Sequence, residues 1–393
     1  MAALLLSTSI VTEGSMAADG TMLVCLNTYT SRLRVVAEGV ACHRWETGPT
    51  ALVVAPTGPS GPKTLSVDCD QGGTIAGALD AAGAGDTIEI EGTCHEVITL
   101  LPRHDEVRLV GRNGAVIDGM PPTGLAILTH VVTVRGARMV RMTGLTVRNG
   151  LDGLRVGRSA SVQVENCAFS QNAGHGVAVT SNAWASLVAS TVSHNDRNGV
   201  RITESSSAWL ENNTVEANGE NGVQVLNGAS AQLVGNTIQS NAFSGVDVSG
   251  NSVAGLWGGN TIRANADFSM WRGGIGVYHN SHVTIGFSTV DDVIAENRGP
   301  GIAAGNSSSV FMNRGVVSGN LSKPMLLPRP VQLAGHGVRL NFDSFLQIEG
   351  EVRIERNDGY GIWCFDAESG ANVSPPARLV GNDLGGTNCF DPR

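Results

Sequence analysis

The chain has 393 residues, of which 16% are charged and 51 are glycine, and its formal net charge is −9. This length fits two or three domains or one long repeat domain. The negative charge, with only two lysines (Lys63 and Lys323), excludes the basic stripe of a nucleic-acid-binding protein, and no apolar run approaches the roughly 20 residues of a membrane span.

Residues 1–18 contain a short apolar run, and Ser15-Met16-Ala17 is typical of a signal-peptide cleavage site. The basic segment that usually opens such a peptide is missing. We nevertheless predict a signal peptide over residues 1–18, and therefore a protein that is secreted or located at the cell surface.

Residues 19–48 contain Cys25 and Cys42 and resemble a small Cys-x16-Cys module found ahead of secreted bacterial repeat domains. Residues 49–63 are rich in Pro and Gly, which predicts a linker. The rest of the chain, 64–393, is predicted to form one domain.

Glycines recur at a fixed interval in this domain. The spacing is 23 residues through Gly153, Gly176, Gly199, Gly222 and Gly245, and longer intervals lead on to Gly276, Gly301, Gly337 and Gly361. Within each unit, aliphatic residues alternate with polar ones in three short runs, for example Val200 and Ile202 around Arg201. A fixed period of this size indicates a solenoid, and alternation indicates strands with one buried face. We predict an all-β parallel β-helix of about twelve coils.

Two asparagine columns accompany the period. One lies between the second and third strands, at Asn166, Asn213, Asn236 and Asn260, and the other closes each unit from Asn149 to Asn382. Asparagine tolerates left-handed backbone and bonds to a stacked asparagine, so we interpret both columns as structural.

The repeat resembles the right-handed parallel β-helix superfamily, the pectate lyase and polygalacturonase fold, over about Leu65 to Cys389. The stretch TIAGALDAAGAGDTIEIEGTCHE resembles that superfamily's opening, in which a capping helix precedes the first strand. The resemblance implies that Thr74 to Ala82 seals the open end of the coil. It does not identify a function, because many functions share this fold.

Seven cysteines are present. Their spacing favours three disulfides, Cys25–Cys42, Cys69–Cys94 and Cys364–Cys389, with Cys167 free, although spacing alone does not prove connectivity. The last pair falls at equivalent positions of two stacked coils. Disulfides agree with secretion.

Two long insertions, at 266–275 and 321–336, leave the coil at the same corner, beside the first strand. In pectinases this corner and strand build the substrate cleft, so the resemblance implies a groove there. We predict a ligand-binding site composed of aromatic residues for sugar stacking and polar residues beside them: Asp247, Trp271, Arg272, Tyr278, His336, Arg339, Tyr360 and Trp363. The alternative is that the loops only cover the upper coils and the tryptophans pack inside.

The evidence for catalysis is incomplete. Gly174-His175-Gly176 and Gly335-His336-Gly337 resemble the Gly-His-Gly of polygalacturonases, and VRITE (200–204) resembles their later Arg-Ile-Lys. Those enzymes also carry Asn-Thr-Asp and Asp-Asp upstream, where this chain has only Asp152. The repeat accounts for the glycines, so we expect His175 and Arg201 to be ordinary solvated positions.

Two classes of function remain. The first is binding of a polysaccharide or cell-surface glycan, or of another partner, in the groove. The second is a divergent polysaccharide lyase or glycoside hydrolase acting in the same groove. We expect no cofactor and no metal, since neither a clustered acidic site nor a zinc pattern occurs. The sequence does not indicate the oligomeric state.

Overall fold

The structure, a computed structural model, describes residues 21–27, 33–36, 41–42, 44, 46–53, 61–120, 129–266, 273–322 and 335–389. The chain divides into two units, Met1–Gly61 and Pro62–Arg393. No helix within the described ranges is long and apolar enough to cross a membrane.

The first unit contains a three-stranded antiparallel sheet. Its strands are Leu33–Val36, Thr21–Asn27 and Glu46–Val53, in that spatial order. The third strand includes residues 49–53 of the predicted linker 49–63, so the linker prediction began too early. The residues after Pro49, TALV, have the β-branched and apolar character that favours a strand.

The second unit is a parallel coil whose first sheet has twelve strands, each paired with the equivalent strand one coil away. This first sheet is formed by Ile98–Leu100, Val132–Arg135, Leu154–Gly157, Val177–Val179, Val200–Ile202, Val223–Leu226, Val246–Ser249, Ile275–Tyr278, Ile302–Gly305, Val338–Leu340, Tyr360–Cys364 and Gly385–Thr387. Its parallel pairing and its number of strands confirm the predicted β-helix of about twelve coils.

The second sheet has 23 strands, because it takes both remaining strands of each coil. The second strands are Thr64–Asp68, Thr87–Glu91, Arg108–Gly111, Val140–Thr143, Ser161–Glu165, Trp184–Val188, Ser207–Glu211, Ser230–Val234, Val253–Leu256, His282–Ile285, Ser309–Ser318, Phe345–Glu355 and Gly370–Val373. The third strands are Thr93–Cys94, Val116–Asp118, Thr146–Arg148, Ala168–Ser170, Thr191–Ser193, Thr214–Glu216, Thr237–Gln239, Thr261–Arg263, Val293–Ala295 and Arg378–Val380. Ser309–Ser318 and Phe345–Glu355 run through both positions.

Side chains alternate between the core and solvent. In the strand Val200–Ile202, the outer two residues are buried and Arg201 between them is partly exposed. The stacked neighbours Val177 and Val223 are also buried, so each inward column forms a continuous apolar stack. Outward positions are therefore free of core packing, and any function on the sheets must be carried by them.

A helix closes the N-terminal end of the coil, as predicted. The helix Ile75–Ala81 buries Ile75 and Leu79, and the hydroxyl of Thr74 caps its first turn by accepting from the N–H of Gly77. Short 3-10 helices lie at Cys69–Gln71 and Pro102–His104.

The predicted disulfides Cys69–Cys94 and Cys364–Cys389 are formed, with Cα–Cα distances of 5.1 and 5.0 Å. Cys167 is free and buried, as predicted. The side chain of Cys25 lies outside the described residues, so the Cys25–Cys42 pair stays a prediction.

The closing asparagines form a buried ladder from Asn172 to Asn382. In each step the side-chain N–H of one asparagine donates to the side-chain oxygen of the next, as from Asn195 to Asn218 at 3.0 Å. The second column needs a correction, because Asn166 is exposed and Cys167 occupies the ladder position. Ser190, Asn213, Asn236, Asn260 and Asp292 continue that column. Similarly, Gly150 rather than Asn149 occupies the ladder position, and its backbone N–H donates to the side-chain oxygen of Asn172.

The first sheet also corrects one repeat position. Asp247 pairs with Gly276, so the glycine equivalent to Gly245 is Gly274, not Gly276. A Cβ on Gly274 would lie 2.6 Å from the carbonyl oxygen of Gly301, and the same close approach requires glycine at this position in the coils from Gly153 to Gly361. Residue 275 therefore opens a strand rather than closing the insertion 266–275.

Candidate functional site

One column of side chains links adjacent coils of the first sheet by hydrogen bonds. In several coils, the side chain of the residue before the repeated glycine accepts a hydrogen bond from the backbone N–H of its equivalent in an adjacent coil. The bonds run from His175 to Asp152 (2.9 Å), from Asn198 to His175 (3.2 Å), from Asn221 to Asn198 (3.0 Å) and from Tyr360 to His336 (3.0 Å). These side chains are held rigidly at the edge of the outer face.

A cleft of about 270 Å³ opens beside this column over the lower coils. We call it the charged cleft. It is lined by His130, Leu151, Asp152, Arg155, Gly174, His175, Ala178, Thr180, Arg197, Arg201, Thr203 and Glu204. Three arginines, two histidines and two carboxylates thus lie around one cavity, although they come from four different coils.

Asp152 is the buried anion of the charged cleft. Its Oδ1 accepts the N–H of His175, and its Oδ2 lies 3.4 Å from Nη1 of Arg155. Nδ1 of His130 is 2.9 Å from Oδ2, but without hydrogen-bonding geometry. Burial alone would raise the pKa of Asp152, but its contacts with His130 and His175 outweigh burial and hold this pKa below its usual value. Asp152 is therefore ionised at neutral pH.

His175 is a neutral hydrogen-bond donor. Because its Nδ1 accepts the backbone N–H of Asn198, the neutral ring carries its proton on Nε2. Burial lowers the pKa of His175 to about 4. The charge of Asp152 raises this pKa, whereas the charge of Arg201 lowers it. Nη1 of Arg201 lies 3.4 Å from Nε2, which places two donors side by side.

Arg201 has a second unusual feature. Its Nε is buried and has no hydrogen-bond partner among the described residues. A buried donor without a partner costs free energy, so it marks a position where an acceptor is expected. With the Nε2–H of His175, it forms a set of donors suited to an oxygen-rich or anionic group.

Glu204 closes the cleft on its exposed side. The hydroxyls of Thr180 and Ser181 donate to its Oε2 at 2.6 and 2.8 Å, and these bonds lower the pKa of Glu204. Both carboxylates of the charged cleft thus have lowered pKa values. A general acid needs a raised one, so this pair lacks the asymmetry that a glycosidase uses.

A second group of side chains lies higher on the same outer face. The ring of His336 stacks on Trp363 at 4.7 Å with an interplanar angle of 8°, and on Tyr360 at 6.1 Å and 19°. The edge of Phe365 contacts Trp363 at 5.6 Å. We call His336, Tyr360 and Trp363 the aromatic cluster. Burial and the charge of Arg339 lower the pKa of His336 to about 4, so the cluster is neutral at its centre.

The structure brings only part of the predicted site together. His336, Tyr360 and Trp363 are in contact, and Arg339 lies in the strand next to Trp363. Asp247 and Arg339 are 4% and 3% exposed, whereas Tyr278, Tyr360 and Trp363 are half-buried. Tyr278 stands two residues further along its strand than predicted, because of the Gly274 correction. Trp271 and Arg272 lie outside the described residues.

The charged cleft is the feature that the sequence analysis missed. His175 and Arg201 were expected to be ordinary solvated positions, yet they face each other across adjacent coils. The signal was present in the sequence as Asp152, His175 and Arg201 at neighbouring positions of three consecutive units. Comparing the residues of adjacent coils that stack on one another, rather than searching for complete motifs, would have found the charged cleft.

Comparisons with known proteins agree on the architecture. The family model described as "right handed beta helix region" matches residues 126–267. No curated protein matches the sequence.

Among solved structures, the chain is similar to the catalytic unit of a GH87 α-1,3-glucanase from Streptomyces thermodiastaticus (TM-score 0.56, 14% identity, 84% of this chain and 71% of that chain). It is also similar to the A-module of a mannuronan C-5 epimerase from Azotobacter vinelandii (TM-score 0.50, 16% identity, 81% and 93%). A third similar structure is XylC in complex with xylose (TM-score 0.50, 9% identity, 84% and 87%). These likenesses concern the fold. Together with the repeat and the parallel pairing of both sheets, they show that the chain has the fold of a right-handed parallel β-helix.

Proposed function

We propose that the protein is a secreted or surface protein that binds an anionic polysaccharide along the outer face of the first sheet. The observation that carries this proposal is the convergence of Arg155, Arg197, Arg201 and the Nε2–H of His175 on one cleft. Donors of this kind recognise the carboxylate and hydroxyl groups of acidic sugars, and arginine is well suited to carboxylates.

A polymer fits this face better than a single sugar. The charged cleft and the aromatic cluster lie on the same parallel sheet, and five coil steps separate the strand of Arg201 from the strand of Arg339. At about 4.8 Å per step the separation is about 24 Å. Rings such as Trp363 and Tyr360 supply stacking surfaces, as aromatic anchors do in other binding sites. The insertions 266–274 and 321–336 are proposed to wall this groove.

Secretion is supported by the two disulfides, which persist in oxidising compartments. The similar structures act on or bind sugars by their titles: a glucanase, a mannuronan epimerase and a xylose complex. These titles support a glycan as the ligand, while the charge of the cleft supports an acidic one.

The direct test is affinity electrophoresis in native gels containing alginate or polygalacturonate. The unmodified protein should be retarded, and Arg201→Ala should weaken binding by about tenfold or more, as expected for loss of one charge-assisted contact. Arg141→Ala is the matched control, because Arg141 is exposed on the second sheet. Undiminished retardation of Arg201→Ala would contradict the proposed site.

A second candidate is a reaction on the same polymer, as a divergent lyase or hydrolase. The close approach of Asp152, His175 and Arg201 favours it, although the lowered pKa values of Asp152, His175 and Glu204 do not suit a general acid at neutral pH. Incubation with alginate and polygalacturonate, followed by assays for reducing ends and for unsaturated sugar ends, distinguishes the two. Products that disappear in His175→Ala would establish the enzyme.

A further inference from the structure

The second sheet carries another cleft, of about 310 Å³, in the upper coils. We call it the neutral cleft. Its floor is a grid of outward side chains from three stacked strands, which are paired residue by residue. One outward column contains His282, Ser309 and Phe345, and the next contains Thr284, Phe311 and Gln347. Phe287 stacks on Phe311 at 5.7 Å with an interplanar angle of 24°.

The lining combines aromatic rings with neutral hydrogen-bonding groups. It consists of His282, Thr284, Phe287, Ser309, Val310, Phe311, Phe345 and Gln347, so no Asp, Glu, Lys or Arg is among the described lining residues. Nδ1 of His282 lies 2.8 Å from the hydroxyl of Ser309, and burial lowers the pKa of His282, so the imidazole is uncharged at neutral pH. A cleft lined by neutral groups is complementary to an uncharged ligand.

Aromatic rings continue down the same face, beyond the cleft. The indole of Trp257 lies against Gly255 in the strand Val253–Leu256. A Cβ on Gly255 would come within 2.6 Å of Nε1 of Trp257. Trp257 meets Trp209 edge-on at 5.8 Å, and the Nε1–H of Trp209 donates to Glu211. We call the whole series the aromatic strip, and it comprises Trp184, Trp209, Trp257, Phe287, Phe311 and Phe345.

The aromatic strip is long and exposed. Its members Trp184 and Trp257 are each 38% exposed and Phe287 is 58% exposed. Six coil steps separate the strand of Trp184 from the strand of Phe345, which at about 4.8 Å per step is about 29 Å. A long series of exposed aromatic rings on one face marks an interaction site. Its rings follow one another from coil to coil, with hydroxyl and amide groups between them. This elongated arrangement fits an extended chain better than a globular partner.

We propose that the neutral cleft and the aromatic strip bind an uncharged polysaccharide chain, at a site separate from the outer face of the first sheet. The apolar faces of its sugar rings stack on Phe287, Phe311 and Trp257. Its hydroxyls pair with Ser309, Thr284 and Gln347. This site does not depend on the function proposed for the charged cleft.

The experiment is affinity electrophoresis of the full chain in native gels containing a soluble β-glucan, a xylan or a galactomannan. At least one of these neutral polymers should retard the protein, and Phe311→Ala with Phe287→Ala should weaken that binding by about tenfold or more. Phe342→Ala is the matched control, because Phe342 is also 58% exposed but does not line the cleft. It should leave the retardation unchanged.

Two outcomes would overturn the proposal. One is the absence of retardation by all three neutral polymers. The other is a stable dimer in light scattering that Phe311→Ala and Phe287→Ala dissolve, which would make the strip a contact with a second copy of the chain. Circular dichroism of the variants, showing an unchanged folded spectrum, separates lost binding from lost folding.

Discussion

The charged cleft and the neutral cleft are built on the same scaffold but differ in the chemistry they present. In both, three or four stacked strands offer outward side chains at equivalent positions, and inward aliphatic residues such as Val177 and Val310 fill the core beneath them. One cleft collects arginines and histidines, whereas the other collects phenylalanines, hydroxyls and amides. The coil thus fixes where side chains stand, and the outward columns alone decide what they bind.

The two clefts also use histidine in similar ways. His175 and His282 both have a lowered pKa, because burial disfavours the charged imidazole. In the charged cleft the neutral ring acts as a donor beside Arg201, and in the neutral cleft it contacts the hydroxyl of Ser309. The positive charge of the first site therefore comes from its arginines and not from His175.

The largest expected effect concerns the asparagine ladder, which is part of the coil on which both clefts are built. Asn213→Ala removes a buried ladder amide that bonds to Asn236 and to the carbonyl oxygen of Leu187. Since each unsatisfied buried group costs about 1–3 kcal/mol, the free energy of unfolding should fall by about 3 kcal/mol. Urea denaturation measures it.

The control for that experiment is Asn212→Ala. Asn212 is exposed, and Ala189 already occupies the equivalent position one coil below with the same left-handed backbone. Its effect should stay well below that of Asn213→Ala. Equal losses would mean that the ladder does not hold the coil as described.

Trp363→Ala tests whether the aromatic cluster extends the first binding face. If a saccharide stacks on Trp363, binding of the acidic polymer should weaken by about 1–3 kcal/mol, and the free energy of unfolding should change little. Titration calorimetry and urea denaturation measure the two effects. A variant that unfolds but keeps its affinity would show that Trp363 is a packing residue.

His175 and His336 should make the fold sensitive to mild acid. Both have a folded-state pKa of about 4, below the ordinary value of about 6.5, so between these pH values the unfolded chain binds more protons. The free energy of unfolding should therefore fall from pH 6.5 towards pH 4, by about 1–2 kcal/mol for each ring at pH 5.

His175→Asn gives the comparison for this pH dependence. Asn198 and Asn221 show that asparagine fits the same column, so the variant should fold. Its stability should depend less steeply on pH between 4 and 6.5 than that of the unmodified protein. Parallel pH curves for the two proteins would contradict the account of His175.

The smallest effect is expected at Asp292. It is the last residue of the second ladder, in which asparagines occupy the three positions before it. Burial raises the pKa of Asp292, and its Oδ2 has no partner among the described residues. A raised folded-state pKa means that stability is highest at low pH and is lost as pH rises through that value. Asp292→Asn should stabilise the protein by about 1 kcal/mol at pH 7 and remove this loss, measurable by urea denaturation at pH 4 and pH 7.

The repeat made the fold predictable, because the inward aliphatic columns and the closing asparagines are fixed by core packing and by the buried ladder. The exact position of a residue within a coil is harder to predict. The sequence predicts Asn166 in the ladder and Gly276 as the repeated glycine, whereas Cys167 and Gly274 occupy these positions. The reason is that a suitable residue stands at each neighbouring position of the sequence. Outward residues are not constrained by the core, so the period did not single out Asp152, His175 and Arg201, and only their neighbouring positions in consecutive units indicated that they converge.

The central claim is that the two sheets bind polymers of different charge, and one measurement tests it directly. The unmodified protein, Arg201→Ala and Phe311→Ala are compared by affinity electrophoresis in parallel gels containing alginate and a neutral β-glucan. Arg201→Ala should lose retardation by alginate alone, and Phe311→Ala should lose retardation by the neutral polymer alone. If either variant weakens binding to both polymers equally, or neither variant weakens any binding, the assignment of two separate sites is contradicted.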